Sequence, residues 1–181
     1  MIHKRLEKKS KQLSYLLRHC TDPLLIDLNG GWCPVEVLLK ELDIYRWELE
    51  VIVESDPKKR YSYDPDTDRV RANQGHSIPD VVIEMEQPDP PECLFHGTAT
   101  RFLDDIMRDG LKPMSRQMVH ISEDIFTAMD VGRRHGEPAV LVIRAKDFVA
   151  DDHKLFLSDN GVWQAKEVPR RYFDVIKFHE E

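Results

Sequence analysis

Residues 86–92 read "EQPDPPE", three prolines and three acids around a single glutamine. Neither a helix interior nor a central strand can run through such a stretch. Each proline fixes φ and removes a backbone donor, and the residue before each is pushed to extended backbone. The stretch is therefore the candidate boundary between two bodies, with lobes expected over 1–87 and 92–181. A length of 181 residues gives each lobe room for a small core of its own.

Before the boundary, Leu6, Leu13, Leu16 and Leu17 fall on one side of a 3.6-residue wheel, which predicts an amphipathic helix ending near "LLRHCTDP", with Pro23 as its stop. "NGGW" reads as a turn. "PVEVLLKEL" opens with a proline suited to the first helical position, and "YRWELEVIVESD" gives a third helix. "KKRYSYDPDTDRVRAN" is two strand-like runs joined by aspartates and proline, which reads as a β-hairpin. Three helices followed by a hairpin predict a winged-helix-like lobe.

After the boundary the rhythm changes. "CLFHGT" predicts a strand, "ATRFLDDIMRDG" a helix with Gly110 as left-handed terminator, "QMVHIS" a strand and "EDIFTAMDVGRRHG" a second helix. "PAVLVIRA" is a buried strand rich in β-branched residues. "KLFLSDNGVW" and "RYFDVIKFH" complete a mostly antiparallel set with two helices, so the chain is expected to be α+β.

Composition narrows the function. A net charge of −7 argues against a protein that coats nucleic acid nonspecifically, so any anion must be held by a local cluster. Cys20, Cys33 and Cys93 are odd in number and form no CxxC pair, which argues against a disulfide framework or a zinc site. No window approaches a membrane span and the N-terminal stretch lacks the apolar block of a secretory signal, so a cytoplasmic protein is expected.

Three segments gather donors. Arg18 and His19 stand in the last turn of the first helix, where cations ordinarily complement the macrodipole. The run "RVRANQGHSIP" sets Arg71, Asn73, Gln74 and His76 where the second hairpin strand ends, a guanidinium fork with amide donors beside it. Arg116 precedes a strand carrying His120 and Ser122, and in "FHGT" His96, Gly97 and Thr98 offer a ring, a close backbone approach and a hydroxyl. Each segment alone has an ordinary structural reading. Together they form a pattern.

That pattern resembles the RNA 2′-phosphotransferase (tRNA 2′-phosphotransferase) family. The blocks "SKQLSYLLRH", "KKRYSYD", "RVRANQGHS", "FHGTA", "GLKPMSRQMVHIS", "VGRRHG", "PAVLVIRA" and "FLSDNGVW" stand in order. The resemblance implies a winged-helix-like RNA-binding lobe followed by an NAD-binding lobe of the ADP-ribosyltransferase fold. It implies that NAD is consumed as co-substrate without a metal. The RNA 2′-phosphate attacks the nicotinamide ribose through a 2′-phospho-ADP-ribosylated intermediate. Transesterification then gives 2′-OH RNA and ADP-ribose 1″,2″-cyclic phosphate. By motif the family's Arg-His-Arg-Arg tetrad falls on Arg18, His19, Arg71 and Arg116, all converging on one dianion. His96, Gly97, Thr98, His120 and Ser122, with Asn160 and Gly161, are expected on the NAD side, and Asn73, Gln74 and His76 on the RNA side. No obligate protein partner is implied.

The residue types suit the chemistry. A phosphate monoester near pH 7 is already a deprotonated nucleophile and needs positioning more than a base. This accounts for Val162, in "SDNGVWQ", at a place where many ADP-ribosyltransferases carry a glutamate. Arginine grips two phosphate oxygens while staying charged, which lysine does less well. Two other readings stand beside this one. The first is a transferase that stops after ADP-ribosylating a terminal phosphate of nucleic acid. The second is a noncatalytic RNA-end binder.

Overall fold

In the computed structural model the described residues are 2–20, 22 and 26–177. Thr21, Pro23 and the tail beyond Lys177 lie outside them, and with them the expected helix stop and the end of the last strand. Tertiary contacts divide the chain into two units, Met1–Glu84 and Met85–Glu181.

The N-terminal unit is built from α1 (Ile2–His19), β1 (Trp32–Pro34), α2 (Val35–Leu42), α3 (Arg46–Glu54), β2 (Tyr61–Asp64) and β3 (Arg69–Ala72). The leucine stripe of α1 does what its spacing predicts: Leu13 and Leu17 are fully buried with Leu38, Leu42, Leu49 and Val70, and Leu6 and Leu16 pack at the edge. Each fully buried leucine contributes about 1.5–3 kcal/mol. The predicted hairpin is present, Tyr61 opposite Ala72 and Asp64 opposite Arg69. A third strand joins it where the sequence suggests only a turn, since β1 pairs antiparallel with β3, Trp32 opposite Arg71. Pro34 therefore ends a strand and caps α2 from outside, one place earlier than expected. The buried Cys33 thiol is pushed up to about 12, chiefly by desolvation, and is inert.

The C-terminal unit contains β4 (Cys93–Ala99), α4 (Leu103–Asp109), β5 (Val119–Ile121), α5 (Ile125–Arg133), β6 (Pro138–Arg144), α6 (Ala145–Ala150), β7 (Phe156–Leu157), β8 (Trp163–Ala165) and β9 (Phe173–Lys177). Two three-stranded sheets, β4-β6-β9 and β5-β8-β7, are antiparallel throughout. The protein is thus α+β. A backbone bridge between Phe95 and Ser122 joins the sheets (2.8 and 2.7 Å). The core holds Leu94, Leu141, Ile143, Phe148, Trp163 and Phe173.

Three details differ from the sequence expectation. A third helix, α6, is too short to show periodicity. Gly110 takes φ 78 with ψ −178, so its φ is positive but its ψ is extended, because the chain turns at once into a bridge between Leu111 and Val168. The proline-rich stretch is anchored on the C-terminal unit: Leu157 N donates to Glu86 O (2.8 Å) and Lys146 pairs with Asp89. Among the described residues no helix is long and apolar enough to cross a membrane.

Candidate functional site

In the N-terminal unit the segment after β3 wraps the C-terminal end of α1. Gly75, at φ 92, makes the turn that brings it there, a conformation glycine adopts without strain. Three contacts fasten it. Arg18 Nε donates to Gln74 O (2.8 Å), Ser77 N donates to Arg18 O (2.9 Å), and His19 Nδ1 shares a hydrogen bond with Ser77 Oγ (2.9 Å). Arg18 also donates from Nη1 to Ser14 Oγ one turn earlier (2.6 Å). A guanidinium held at both ends keeps one orientation, and only 8% of the residue is exposed. Arg71 comes from the adjacent strand, its guanidinium over the Trp32 ring at 4.7 Å. This stacking follows directly from the β1–β3 register.

His76 lies among these cations. Desolvation, and after it the charges of Arg18, His19 and Arg71, lower its pKa to about 4. The imidazole is neutral at pH 7, so it fills the space behind the cluster without adding a charge of its own. His76 and Asn73 are each only 4% exposed. The Asn73 amide is turned inward, donating to Lys59 O (2.9 Å) and accepting from Ser62 Oγ (2.6 Å). Gln74 is half-buried and contributes its backbone carbonyl to Arg18.

A prediction follows from His76. Between pH 6.5 and about 4 the unfolded chain binds a proton that the folded chain does not, so stability is present above 6.5 and is lost as pH falls. The loss is on the order of 3 kcal/mol. Melting curves from pH 7 to pH 4 should show a shallower acid decline for His76→Gln than for the parent. Parallel declines would mean that His76 is charged in the fold.

In the C-terminal unit the sheet junction gathers a second group. His96 Nδ1 donates to His120 O at 2.8 Å. Because a carbonyl only accepts, the proton is on Nδ1 and Nε2 of the neutral ring is an acceptor. Burial lowers the His96 pKa, which keeps the ring neutral at pH 7. Arg116, exposed in the α4–β5 connection, donates to His120 Nδ1. Ser122 is fixed beside them by its backbone pair with Phe95, and Thr98 is buried on β4. Asn160 and Gly161 lie in the β7–β8 turn, where Ser158 Oγ donates to Asn160 Oδ1 (2.9 Å). Val162 closes that turn and Glu167 is exposed beyond β8.

Gly97 is explained by packing. A Cβ there would stand 1.6 Å from Ala128 O, so β4 needs a glycine to let the α5 backbone against it. Gly132 meets Thr98 O in the same way at 2.5 Å. At "HGT" the sequence suggests a close approach by a ligand, and the backbone that Gly97 admits on this side is that of α5.

Sequence reasoning missed Ser14, Ser77 and Trp32. Ser14 carried a signal in its i, i+4 spacing from Arg18. Ser77 belongs to the same quoted run as Arg71. Trp32 could be found only through the strand pairing.

Comparison with known proteins identifies the family. A family model described as "RNA 2'-phosphotransferase, Tpt1 / KptA family" matches residues 4–167. A protein of Agrobacterium fabrum named "Probable RNA 2'-phosphotransferase" is 45% identical over 175 residues, which is 92% of each chain. One of the same name from Nostoc punctiforme is 44% identical over 182 residues, covering 97% of this chain and all of that one. A third, from Pseudomonas aeruginosa, is 42% identical over 180 residues, covering 95% and 98% respectively. Matched across almost its whole length by the model and by relatives of its own size, the chain belongs to the RNA 2′-phosphotransferase, Tpt1 / KptA family.

Proposed function

We propose that this chain removes an internal 2′-phosphate from RNA by transferring it to NAD, with the N-terminal unit as a winged-helix-like RNA lobe and the C-terminal unit as an ADP-ribosyltransferase-like NAD lobe. The observation that carries the reading is the grouping of Arg18, His19 and Arg71 around a neutral His76. Two guanidinium groups brought together with an imidazole make a cluster that grips an anion. A phosphate monoester, near two negative charges at pH 7, matches it.

Arg18 and Arg71 bind and orient the 2′-phosphate. Arg18 is braced by Ser14 and Gln74, and Arg71 by Trp32. Preorganised guanidinium groups of this kind stabilise charge that builds on phosphorus without reorganising at the moment of reaction. His19, held through Nδ1 by Ser77, assists proton transfer or phosphate binding. Arg116 is the third guanidinium of the set and supports the transesterification. Asn73 and His76 shape the wall behind the phosphate, and Gln74 fixes Arg18.

The C-terminal residues suit a ribose. The Nε2 acceptor of neutral His96 matches a hydroxyl donor, with the Thr98 hydroxyl on the same strand and the Ser122 hydroxyl just past the end of β5. NAD supplies an electrophilic ribose carbon with nicotinamide as leaving group. Asn160 and Gly161 are assigned to its periphery.

The test is incubation with NAD and an oligonucleotide bearing one internal 2′-phosphate, followed by mass measurement of both products. The expected products are 2′-OH RNA, nicotinamide and ADP-ribose 1″,2″-cyclic phosphate. RNA that retains phosphate and gains ADP-ribose would instead support a transferase stopping after one step. Absence of nicotinamide release would contradict both.

A further inference from the structure

The cations of α1 divide into two sets. Arg5 is turned to the buried Glu48 and Lys9 to Leu42 O, both on neighbouring helices. Lys4, Lys8 and Lys11 are exposed, and Tyr15, 62% exposed, continues their line. At about 100° per residue these four side chains fall within an arc of about 60°, opposite the leucine stripe. Arg18 and His19 lie on either side of the same line one turn further on. The stripe is about 22 Å long at 1.5 Å per residue, and its C-terminal end is the proposed phosphate cluster.

The stripe has depth as well as charge. Lys8, Lys11 and Tyr15 wall a cleft of ≈ 380 Å³ whose other lining residues include Leu16, Leu42 and Glu41. The Tyr15 ring touches His19, with centroids 5.6 Å apart. Two acids adjoin it: Glu41 from α2, and Glu7, which pairs with Lys11 at 3.1 Å on the exposed surface. An exposed pair of this kind contributes little and yields easily to a phosphate. Across α1 as a whole six lysines and arginines stand against one glutamate, in a chain whose net charge is −7.

We propose that this face of α1 is the track for single-stranded RNA flanking the 2′-phosphorylated nucleotide, with Lys4, Lys8 and Lys11 on backbone phosphates and Tyr15 stacking a base against the apolar floor of Leu16 and Leu42. Lysines in line with an exposed aromatic above apolar side chains are the elements that bind single strands without reading sequence. An acidic peptide would use the lysines and leave the aromatic and the floor without a purpose. The inference rests on the reading that Arg18 and His19 receive the phosphate, since their position gives the track its end.

The test reads binding rather than turnover. The full-length chain, without NAD, is titrated into labelled oligonucleotides by fluorescence anisotropy. One is a dinucleotide carrying the 2′-phosphate, and two others extend it on the 5′ or the 3′ side by about six nucleotides, within the site size of single-strand binders. At least one extension should tighten binding. For that oligonucleotide, Lys8→Ala with Lys11→Ala should reduce the slope of log affinity against log salt by about 1.4. Tyr15→Ala should weaken its binding about tenfold with the slope unchanged, and Tyr15→Phe should stay within about twofold of the parent. Dinucleotide binding should be unaffected by all three. Equal affinity for dinucleotide and both extended forms would overturn the track, as would variants that weaken every oligonucleotide alike. A protein that binds in this length-dependent way yet releases no nicotinamide from NAD would contradict the proposed reaction and leave the track standing.

Discussion

Arg71→Ala is expected to lower turnover of a 2′-phosphorylated oligonucleotide by about 10²–10³-fold, the usual loss when one preorganised charge donor is removed. The fold should survive. Arg71 is half-buried on β3, and its stacking on Trp32 contributes about 0.5–1 kcal/mol, so the melting midpoint should fall by a few degrees at most. Arg71→Lys keeps the charge and loses the fork, and an intermediate rate is expected. Measuring kcat beside the thermal midpoint separates the two contributions. If Arg71→Ala melts far below the parent, the residue is structural and its place in the phosphate cluster is wrong.

Gly97→Ala should have the larger effect on stability. The added methyl would meet Ala128 O at 1.6 Å, and that oxygen belongs to the backbone of α5, which cannot step aside as a flexible side chain can. Either α5 lifts from β4 or β4 distorts, and the β4–β5 junction holding His96 and Ser122 moves with it. Destabilisation of about 3 kcal/mol or more is expected. The C-terminal unit should melt well below the parent or fail to fold, as followed by circular dichroism and by protease sensitivity of the region after residue 85. A variant that folds and melts like the parent would show that α5 does not pack on β4 as described.

Most of the element order was legible because the segments are long enough to carry their own period. The α1 leucine stripe, the aspartate-rich hairpin turn and the apolar run of β6 each state their structure locally. β1 and α6 do not. The three residues of β1 become a strand only through pairing with β3, a nonlocal event, and the six of α6 are too few for a helical pattern. The same distinction runs through the site. Arg18, His19 and Arg71 could be named only through the family resemblance, and in the fold all three lie near enough to His76 to lower its pKa. The inward turn of Asn73 and the burial of His76 could not, because polar residues in a turn-rich run look alike until their partners are known. Gly97 reads in the sequence as a place for a ligand to approach, whereas the contact its missing side chain admits is the α5 backbone, a nonlocal packing that the sequence does not state.

The central claim is that Arg18, His19 and Arg71 form a receptor for one phosphate dianion. It is tested most directly by calorimetric titration of two oligonucleotides identical except for a single 2′-phosphate, into the parent and into Arg71→Ala. The account predicts that the parent prefers the phosphorylated form by about 100-fold, as several charge-assisted hydrogen bonds imply, and that Arg71→Ala loses most of that preference. An unchanged preference in the variant, or none in the parent, would contradict it.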